Sequence, residues 1–167
     1  VDPSVPITDI DADISTETAG YSRFFALAGR TASGSVILPY MEGDISGNVG
    51  EDSREITRAG FGDARFRLAV NLIGGPAMTP EEFAHRIPDT TLGVSLSVVA
   101  PTGEYTSEHL INVGANRWAF RPEIGISQPF GDWFVDCSAG VWLFTDNNNF
   151  YGDTERSQDP IETFQVH

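Results

Sequence analysis

The chain has 167 residues, one cysteine and a formal net charge of −14 at pH 7. This length suffices for one domain, and the charge excludes a nucleic-acid-binding protein because phosphate backbones require a basic surface. The single cysteine excludes an internal disulfide and a cysteine-based zinc cluster. All ten basic residues are arginines, which is unusual for a soluble surface, where Lys and Glu are normally mixed.

Period-two alternation of apolar and polar residues predicts about seven strands. In chain order they run from about Thr16 to Gly29, over VILPYMEGDI (36–45), over GFGDARFRLAVNLIG (60–74), over LGVSLSVVA (92–100), from Trp118 to Ser127, from Trp133 to Phe144 and from Ile161 onwards. The segment SGS (33–35) is a predicted turn. One short helix is predicted near Thr79–Arg86, with Thr79 as N-cap, Pro80 at the first position and Glu82 completing a capping box.

The predicted connections alternate between short and long. The long ones, near 46–58, 101–116 and 145–160, are polar and acidic. Membrane barrels of the up-and-down type have short periplasmic turns and long outer loops. We therefore expect these three loops outside, and the 33–35 turn, the helix and the turn within Pro129–Asp132 at the periplasmic end. The polar residues have odd numbers before that last turn and even numbers after it, so the turn must contain an even number of residues. Arg121, Glu123 and Asp136 are then expected on one face of the sheet.

Alternation alone does not say which face points inward, and a soluble lipocalin-like barrel or β-sandwich has the same period. Three features favour the membrane. The polar face mixes Gly, Ser and Ala with charged residues and has no Lys, and the loops alternate in length. Aromatic residues crowd the strand ends, as in membrane girdles; they are Tyr21, Tyr40, Trp118, Phe120, Trp133 and Phe144. The prediction is an all-β fold, an antiparallel up-and-down transmembrane β-barrel in a bacterial outer membrane. Its expected partner is the lipid bilayer.

Long ordered motifs resemble one family. LINVGANRWAFRPEIGISQPFGDW (110–133), AGVWLFTDNNNFYG (139–152) and RSQDP (156–160) are similar to the family described as putative MetA-pathway of phenol degradation, and GFGDARFRLAVNLIGGPAMTPEEF (60–83) and VSLSVVAPTGEY (94–105) fit the same order. The resemblance implies an outer-membrane β-barrel that resembles a transporter, for small, aromatic or hydrophobic solutes. Family members are longer, so residues 1–167 are expected to be one barrel segment, incomplete at both ends.

The candidate site residues are the charged and amide side chains of the polar face, expected to face the lumen. They are Asp63, Arg65, Arg67, Asn71, Arg121, Glu123 and Asp136. Such residues either set the selectivity of a pore or pair with one another and hold the barrel rigid. Cys137 shares the apolar face of Val135 and Ala139 and is expected to face lipid.

No catalytic residue is predicted, because His85, His109 and Cys137 form no nucleophile–base pair. The loop TDNNNFYGDTERSQDP departs from calcium-loop spacing at Phe150, so no metal and no cofactor is expected. The predicted function is a channel or transporter and not an enzyme. Two alternatives stay open: a structural barrel that docks with other envelope proteins, and a soluble ligand-binding barrel.

Overall fold

The computed structural model of the chain describes residues 7–49, 52–152 and 154–167. Within these ranges the elements are β1 (Ile7–Leu27), β2 (Arg30–Val49), β3 (Asp52–Phe61), β4 (Arg65–Ile73), α1 (Pro80–Ala84), β5 (Thr91–Val99), β6 (Ala119–Phe130), β7 (Trp133–Phe144), β8 (Asn147–Phe150), β9 (Thr154–Arg156) and β10 (Ile161–Val166). No helix in these ranges is both long and apolar enough to cross a membrane.

The main sheet is antiparallel and follows the chain, in the order β1-β2-β4-β5-β6-β7-β10. β3 and β4 pair with successive halves of β2, since Tyr40–Val49 faces β3 and Ala32–Ile37 faces β4. They are two parts of one strand course, interrupted at 62–64. Seven strand courses therefore lie side by side, as predicted, and the sheet is open between its edge strands β1 and β10 among the described residues.

Among the residues that the structure describes, the sheet has no apolar core. The buried hydrophobic residues among those described are four alanines, Ala32, Ala64, Ala100 and Ala119. Large apolar side chains on one face stay exposed, with 46% of Phe66, 45% of Leu96 and 49% of Ile124 accessible. A closed water-soluble barrel buries such residues inside, whereas this open sheet leaves them on an uncovered face. A one-layer wall with an exposed apolar face is the arrangement of a membrane β-barrel.

The apolar face continues from strand to strand because residues paired across the sheet share a face. One such row joins Val36, Phe66, Val98, Phe120 and Leu143. Cys137 lies on this face as predicted, opposite Ile126 and Val166. At the level of this row, Arg23 of β1 opposite Gly34 and Glu162 of β10 opposite Val141 break the pattern on the two edge strands. Farther along β1 and β2, Glu17, Glu42 and Asp44 have the same face parity.

The turn predicted at 33–35 is wrong. The chain turns at Ala28 and Gly29, whose φ angles are +50° and +75°, and two-residue hairpins of type I′ require positive φ at both central positions. Ser33 and Ser35 lie inside β2, where Ser35 pairs with Arg67. Small residues mark this stretch because they face the long side chains of the neighbouring strand, and not because the chain bends there.

The long polar loop expected at 46–58 is also wrong. These residues continue β2 to Val49 and begin β3 at Asp52, and residues 50–51 lie outside the described ranges. This hairpin extends ten residues beyond the level where β4 takes over from β3. Apolar alternation is weak over 46–58, so the periodic signal is missing although the strands are present.

The predicted β6–β7 turn and the predicted capping box are confirmed, whereas the strand predicted over 60–74 is interrupted at 62–64. The β6–β7 hairpin turns at Gly131 and Asp132, with Gly131 at φ +60°. In α1 the Thr79 hydroxyl accepts from the Glu82 amide at 3.2 Å, and the Glu82 carboxylate accepts from the Thr79 amide at 2.8 Å. Residues 100–118 form an irregular loop, whereas 145–160 contains the small β8–β9 hairpin.

Candidate functional site

All charged side chains of β4, β6 and β7 lie on the polar face. Strand register sets which of them meet, and one row joins Ser35, Arg67, Ser97 and Arg121 across four neighbouring strands. The row beside it joins Ser95, Glu123, Gly140 and Thr163. Because the two rows are adjacent on one face, arginines from β4 and β6 come within reach of a single carboxylate.

That carboxylate is Glu123, and we call Arg67, Arg121 and Glu123 the Glu123 cluster. Arg121 Nη2 lies 2.6 Å from Glu123 Oε2, and Arg67 Nη2 lies 3.2 Å from Glu123 Oε1. Ser95 Oγ accepts from Arg67 at 3.1 Å and donates to Glu123 at 3.4 Å. The Glu123 side chain is only 13% exposed, and each of its two carboxylate oxygens contacts an arginine.

Two residues make room for this cluster. A Cβ at Gly140 would lie 3.2 Å from Glu123 Cβ and 3.4 Å from Arg121 Nε, so a larger residue there would crowd both side chains. Pro122 has no backbone N–H to give to a ladder, and the β6–β7 pairing skips Arg121 and Pro122. The guanidinium of Arg121 then reaches across β7 to the Thr163 hydroxyl of β10, which accepts at 3.2 Å.

A stack of arginines and aromatic rings leads from this cluster toward the loops. The Arg121 guanidinium carbon lies 5.8 Å from the Trp142 ring centre, and the Trp142 and Phe144 rings stack at 6.3 Å and 17°. The Arg117 guanidinium carbon lies 4.8 Å from the Phe144 ring centre. We call Arg117, Phe144, Trp142 and Arg121 the arginine–aromatic ladder. Phe144, expected in an outward girdle, thus belongs to the polar face.

The seven predicted residues do not all meet. Arg67, Arg121 and Glu123 come together, whereas Arg65, Asn71 and Asp136 share their face but form no ion pair with a described residue. A cavity of about 280 Å³ lies on this face and is lined in part by Arg67, Asn71, Glu123 and Asp136. The polar face therefore presents both paired and unpaired charges to this cavity.

Asp63 stands apart from the other six. It lies in the break between β3 and β4, and its two carboxylate oxygens accept from the Gly103 and Ala115 amides, each at 2.9 Å. A Cβ at Gly103 would come within 2.8 Å of Gly114 Cα, so the two arms of the 100–118 loop touch backbone to backbone here. Asp63 fastens this loop to the end of the sheet.

Sequence reasoning missed a second group of residues at the loop end. A pocket of about 180 Å³ lies between the 100–118 loop and the β8–β9 hairpin. Its lining residues are Tyr105, Leu110, Asn112, Gly114, Ala115, Arg117, Asn147, Phe150 and Arg156. Arg117 and Arg156 are 39 positions apart, one in the irregular 100–118 loop and the other at the end of the short strand β9, and no periodicity relates them. The one signal in the sequence was that Arg117 and Arg121 both have odd numbers, which indicates that they point to the same face.

The fold and these two groups of residues can be compared with known proteins. A family model described as "Putative MetA-pathway of phenol degradation" matches residues 2–165. The chain belongs to this family. None of the curated proteins matches this family member.

A solved structure shares its fold: the crystal structure of an outer membrane channel from Pseudomonas putida F1, with a TM-score of 0.72 and 21% sequence identity. The similarity covers 95% of this chain and 55% of that one, so this family member spans about half the length of that channel. The fold of the chain is that of an outer-membrane β-barrel wall, as predicted.

Proposed function

We propose that the chain forms part of the wall of an outer-membrane channel for small molecules, with the apolar face against lipid and the polar face toward a water-filled interior. The observation that carries this proposal is the coreless sheet with one apolar and one charged face. Charged side chains on a lipid-facing surface cost about 2–4 kcal/mol each near the bilayer midplane, so Arg67, Arg121 and Glu123 belong on the other side. The structural neighbour is itself described as an outer membrane channel.

The polar face also indicates the kind of solute. Arg65, Arg67, Asn71, Arg121, Glu123 and Asp136 supply hydrogen-bonding and charged groups along it, and Trp142 and Phe144 supply flat apolar surface between two guanidinium groups. Such a wall suits small solutes with an aromatic or otherwise apolar body, in line with the family's description. Passage along it needs no bond to form or break, so we propose transport and not catalysis.

One observation favours a second function, a structural barrel that docks with other envelope proteins. Arg23 and Glu162 lie on the apolar face of the two edge strands. A charge on that face is costly against hydrocarbon and is better accommodated against protein. Conductance separates the two functions, because a scaffold need not pass ions.

The test uses the full-length protein that contains this chain, inserted in planar bilayers under a salt gradient. The proposal expects open-channel currents, and Arg121→Glu should shift the reversal potential toward cation selectivity because a cation is replaced by an anion at the wall. Arg86→Glu, at the other end of the sheet beside α1, changes the net charge by the same amount and should shift the reversal potential less. Absence of conductance from correctly inserted protein would favour the scaffold.

The direction of the two faces has its own test at Cys137. In intact membranes this thiol should be inert to a charged maleimide, because thiolate formation is disfavoured on a face covered by hydrocarbon. The matched variant carries Cys137→Ser and Ser138→Cys, which moves the thiol by one residue to the polar face. Labelling of the second protein and not the first is expected, and the reverse result would invert the assignment of the faces.

A further inference from the structure

We infer that the pocket between the 100–118 loop and the β8–β9 hairpin binds a small organic carboxylate with a flat apolar body. We call this pocket, centred on Arg117 and Arg156, the loop-end pocket. The inference deepens the proposed function by naming a substrate class, and its role in uptake rests on that function. Binding itself can be measured without transport, so the two ideas can fail separately.

The walls of the loop-end pocket are held in place by Asn147, which is 3% exposed. Its amide nitrogen donates to the Tyr105 hydroxyl at 3.0 Å and to the Ala115 carbonyl at 3.3 Å. Its amide oxygen accepts from Asn116 Nδ2 at 2.9 Å, and Tyr105 in turn donates to the Asn149 carbonyl at 2.9 Å. The loop and the hairpin are thus joined by a satisfied network, which leaves a preformed cavity at their boundary.

The charge of the pocket is positive although the chain as a whole is strongly acidic. Arg117 and Arg156 both line it, and neither forms an ion pair with any residue that the structure describes. Arg117 Nη2 donates to the neutral Gln158 side chain, while Arg117 Nη1 is buried without a hydrogen-bond partner among the described residues. A buried donor without a partner costs about 1–3 kcal/mol, so an acceptor is missing from this position.

The two arginines also act on each other. The pKa of Arg117 is lowered by burial and then by the positive charge of Arg156. A guanidinium nevertheless stays protonated in proteins, so the pocket keeps both charges. An anion placed between them would relieve their repulsion and supply the missing acceptor. Guanidinium groups match the planar oxygens of a carboxylate with two parallel hydrogen bonds.

The remaining lining gives the ligand its apolar part. The Arg156 guanidinium carbon lies 5.1 Å from the Phe150 ring centre, and Leu110 and Tyr105 complete the apolar surface. A volume of about 180 Å³ equals about six water molecules in the liquid, which accommodates a single-ring acid. Arg117 also begins the arginine–aromatic ladder, so a ligand leaving the pocket would next meet Phe144, Trp142 and Arg121.

The experiment is isothermal titration of the full-length protein in detergent with benzoate as the probe. Arg156→Gln and Arg117→Gln should each weaken benzoate binding by on the order of tenfold, the loss expected for one charge-assisted contact. Arg86→Gln, at the opposite end of the sheet, removes the same charge and should leave binding unchanged. Benzyl alcohol, with the ring but no charge, should bind on the order of tenfold more weakly than benzoate, and acetate, with the charge but no ring, should also bind more weakly.

Wild-type affinity for benzoate in both arginine variants, or no benzoate binding at all, would overturn the inference. Acetate binding as tightly as benzoate would overturn the apolar part of the ligand description. A protein that conducts but does not bind benzoate would leave the proposed channel standing without this site. Binding without conductance would leave the site standing and remove the channel.

Discussion

The Glu123 cluster and the loop-end pocket both contain two arginines, yet they differ in how those charges are compensated. In the cluster one carboxylate of 13% exposure contacts both guanidinium groups, at 2.6 and 3.2 Å. In the pocket no acidic residue that the structure describes forms an ion pair with either arginine. Each region has one buried guanidinium nitrogen without a partner among the described residues, Arg117 Nη1 in the pocket and Arg121 Nε in the cluster. A paired set of charges stabilises a wall, whereas an unpaired set in a cavity is available to a ligand.

The Glu123 cluster and the loop-end pocket can be compared directly because they are physically continuous. The arginine–aromatic ladder connects them through Trp142 and Phe144, with Arg121 belonging to the cluster and Arg117 to the pocket. Both ends therefore share a chain of contacts and the same residue types. What separates them is the single residue Glu123, so substitutions at the two ends should have opposite consequences for stability and binding.

The largest effect is expected from Glu123→Gln, which makes the cluster resemble the pocket. Removing the carboxylate leaves two arginines facing each other without compensation. The two charge-assisted contacts that Glu123 makes in this half-buried cluster contribute about 3 kcal/mol together. The measurement is the urea-unfolding midpoint of the full-length protein in lipid. Asp136→Asn is the control, since Asp136 shares the face without an ion pair among the described residues. Equal midpoints for the two variants would remove the distinction between the regions.

The next effect is expected from Asp63→Ala, which loosens the pocket without touching its arginines. The Gly103 and Ala115 amides both lose a charged acceptor, and hydrogen bonds to charged groups contribute about 2 kcal/mol. Hydrogen exchange should show faster exchange across 100–118 and unchanged protection in β5 and β6. Asp132→Ala, in the exposed β6–β7 turn, is the control. Uniform loss of protection in both strands would mean that Asp63 supports the whole sheet.

A smaller effect is expected from Arg121→Leu. The variant loses the Glu123 ion pair, the Thr163 hydrogen bond and the contact with Trp142, together about 1.5 kcal/mol in a partly solvated setting. The urea midpoint in lipid should fall. A clearly raised midpoint would show that Arg121 faces hydrocarbon, where leucine is favoured.

The smallest effect on stability is expected from Arg156→Gln. This arginine is exposed and forms no ion pair with a described residue, so the change should stay within about 0.5 kcal/mol or raise stability slightly by removing repulsion with Arg117. The same urea series measures it. A loss as large as that of Arg121→Leu would indicate that the pocket arginines are structural, as those of the cluster are.

Much of the wall could be predicted from the sequence because alternation is a local signal. The odd and even sets of β6 and β7 define the two faces directly, and the parity of the Gly131 turn brings Arg121 and Glu123 onto the face of Asp136. The capping box of α1 is likewise encoded in three neighbouring residues, Thr79, Pro80 and Glu82. In each case the determining contacts lie within one hairpin or one turn.

The errors arose where the environment, and not the local pattern, decides the structure. Ser33-Gly34-Ser35 has turn composition but faces β1 and β4, and its small side chains leave room for Arg67. Asp63 has the parity of Arg65 and Arg67, yet a break in the strand directs it to the 100–118 loop. The loop-end pocket depends on contacts between segments about 40 residues apart, for which one sequence carries no periodic signal.

The β2–β3 hairpin has a practical consequence. Its ten paired residues beyond Pro39 and Gly62 span roughly 33 Å at the usual rise of a strand, in addition to the part of β2 that pairs with β4. If the long loops lie outside the cell, as the sequence predicts, this ribbon projects well clear of the bilayer on the cell exterior. An epitope tag inserted between Val49 and Asp52 would then be readable by antibodies on intact cells, and it would report how many copies reach the surface while the wall itself stays untouched.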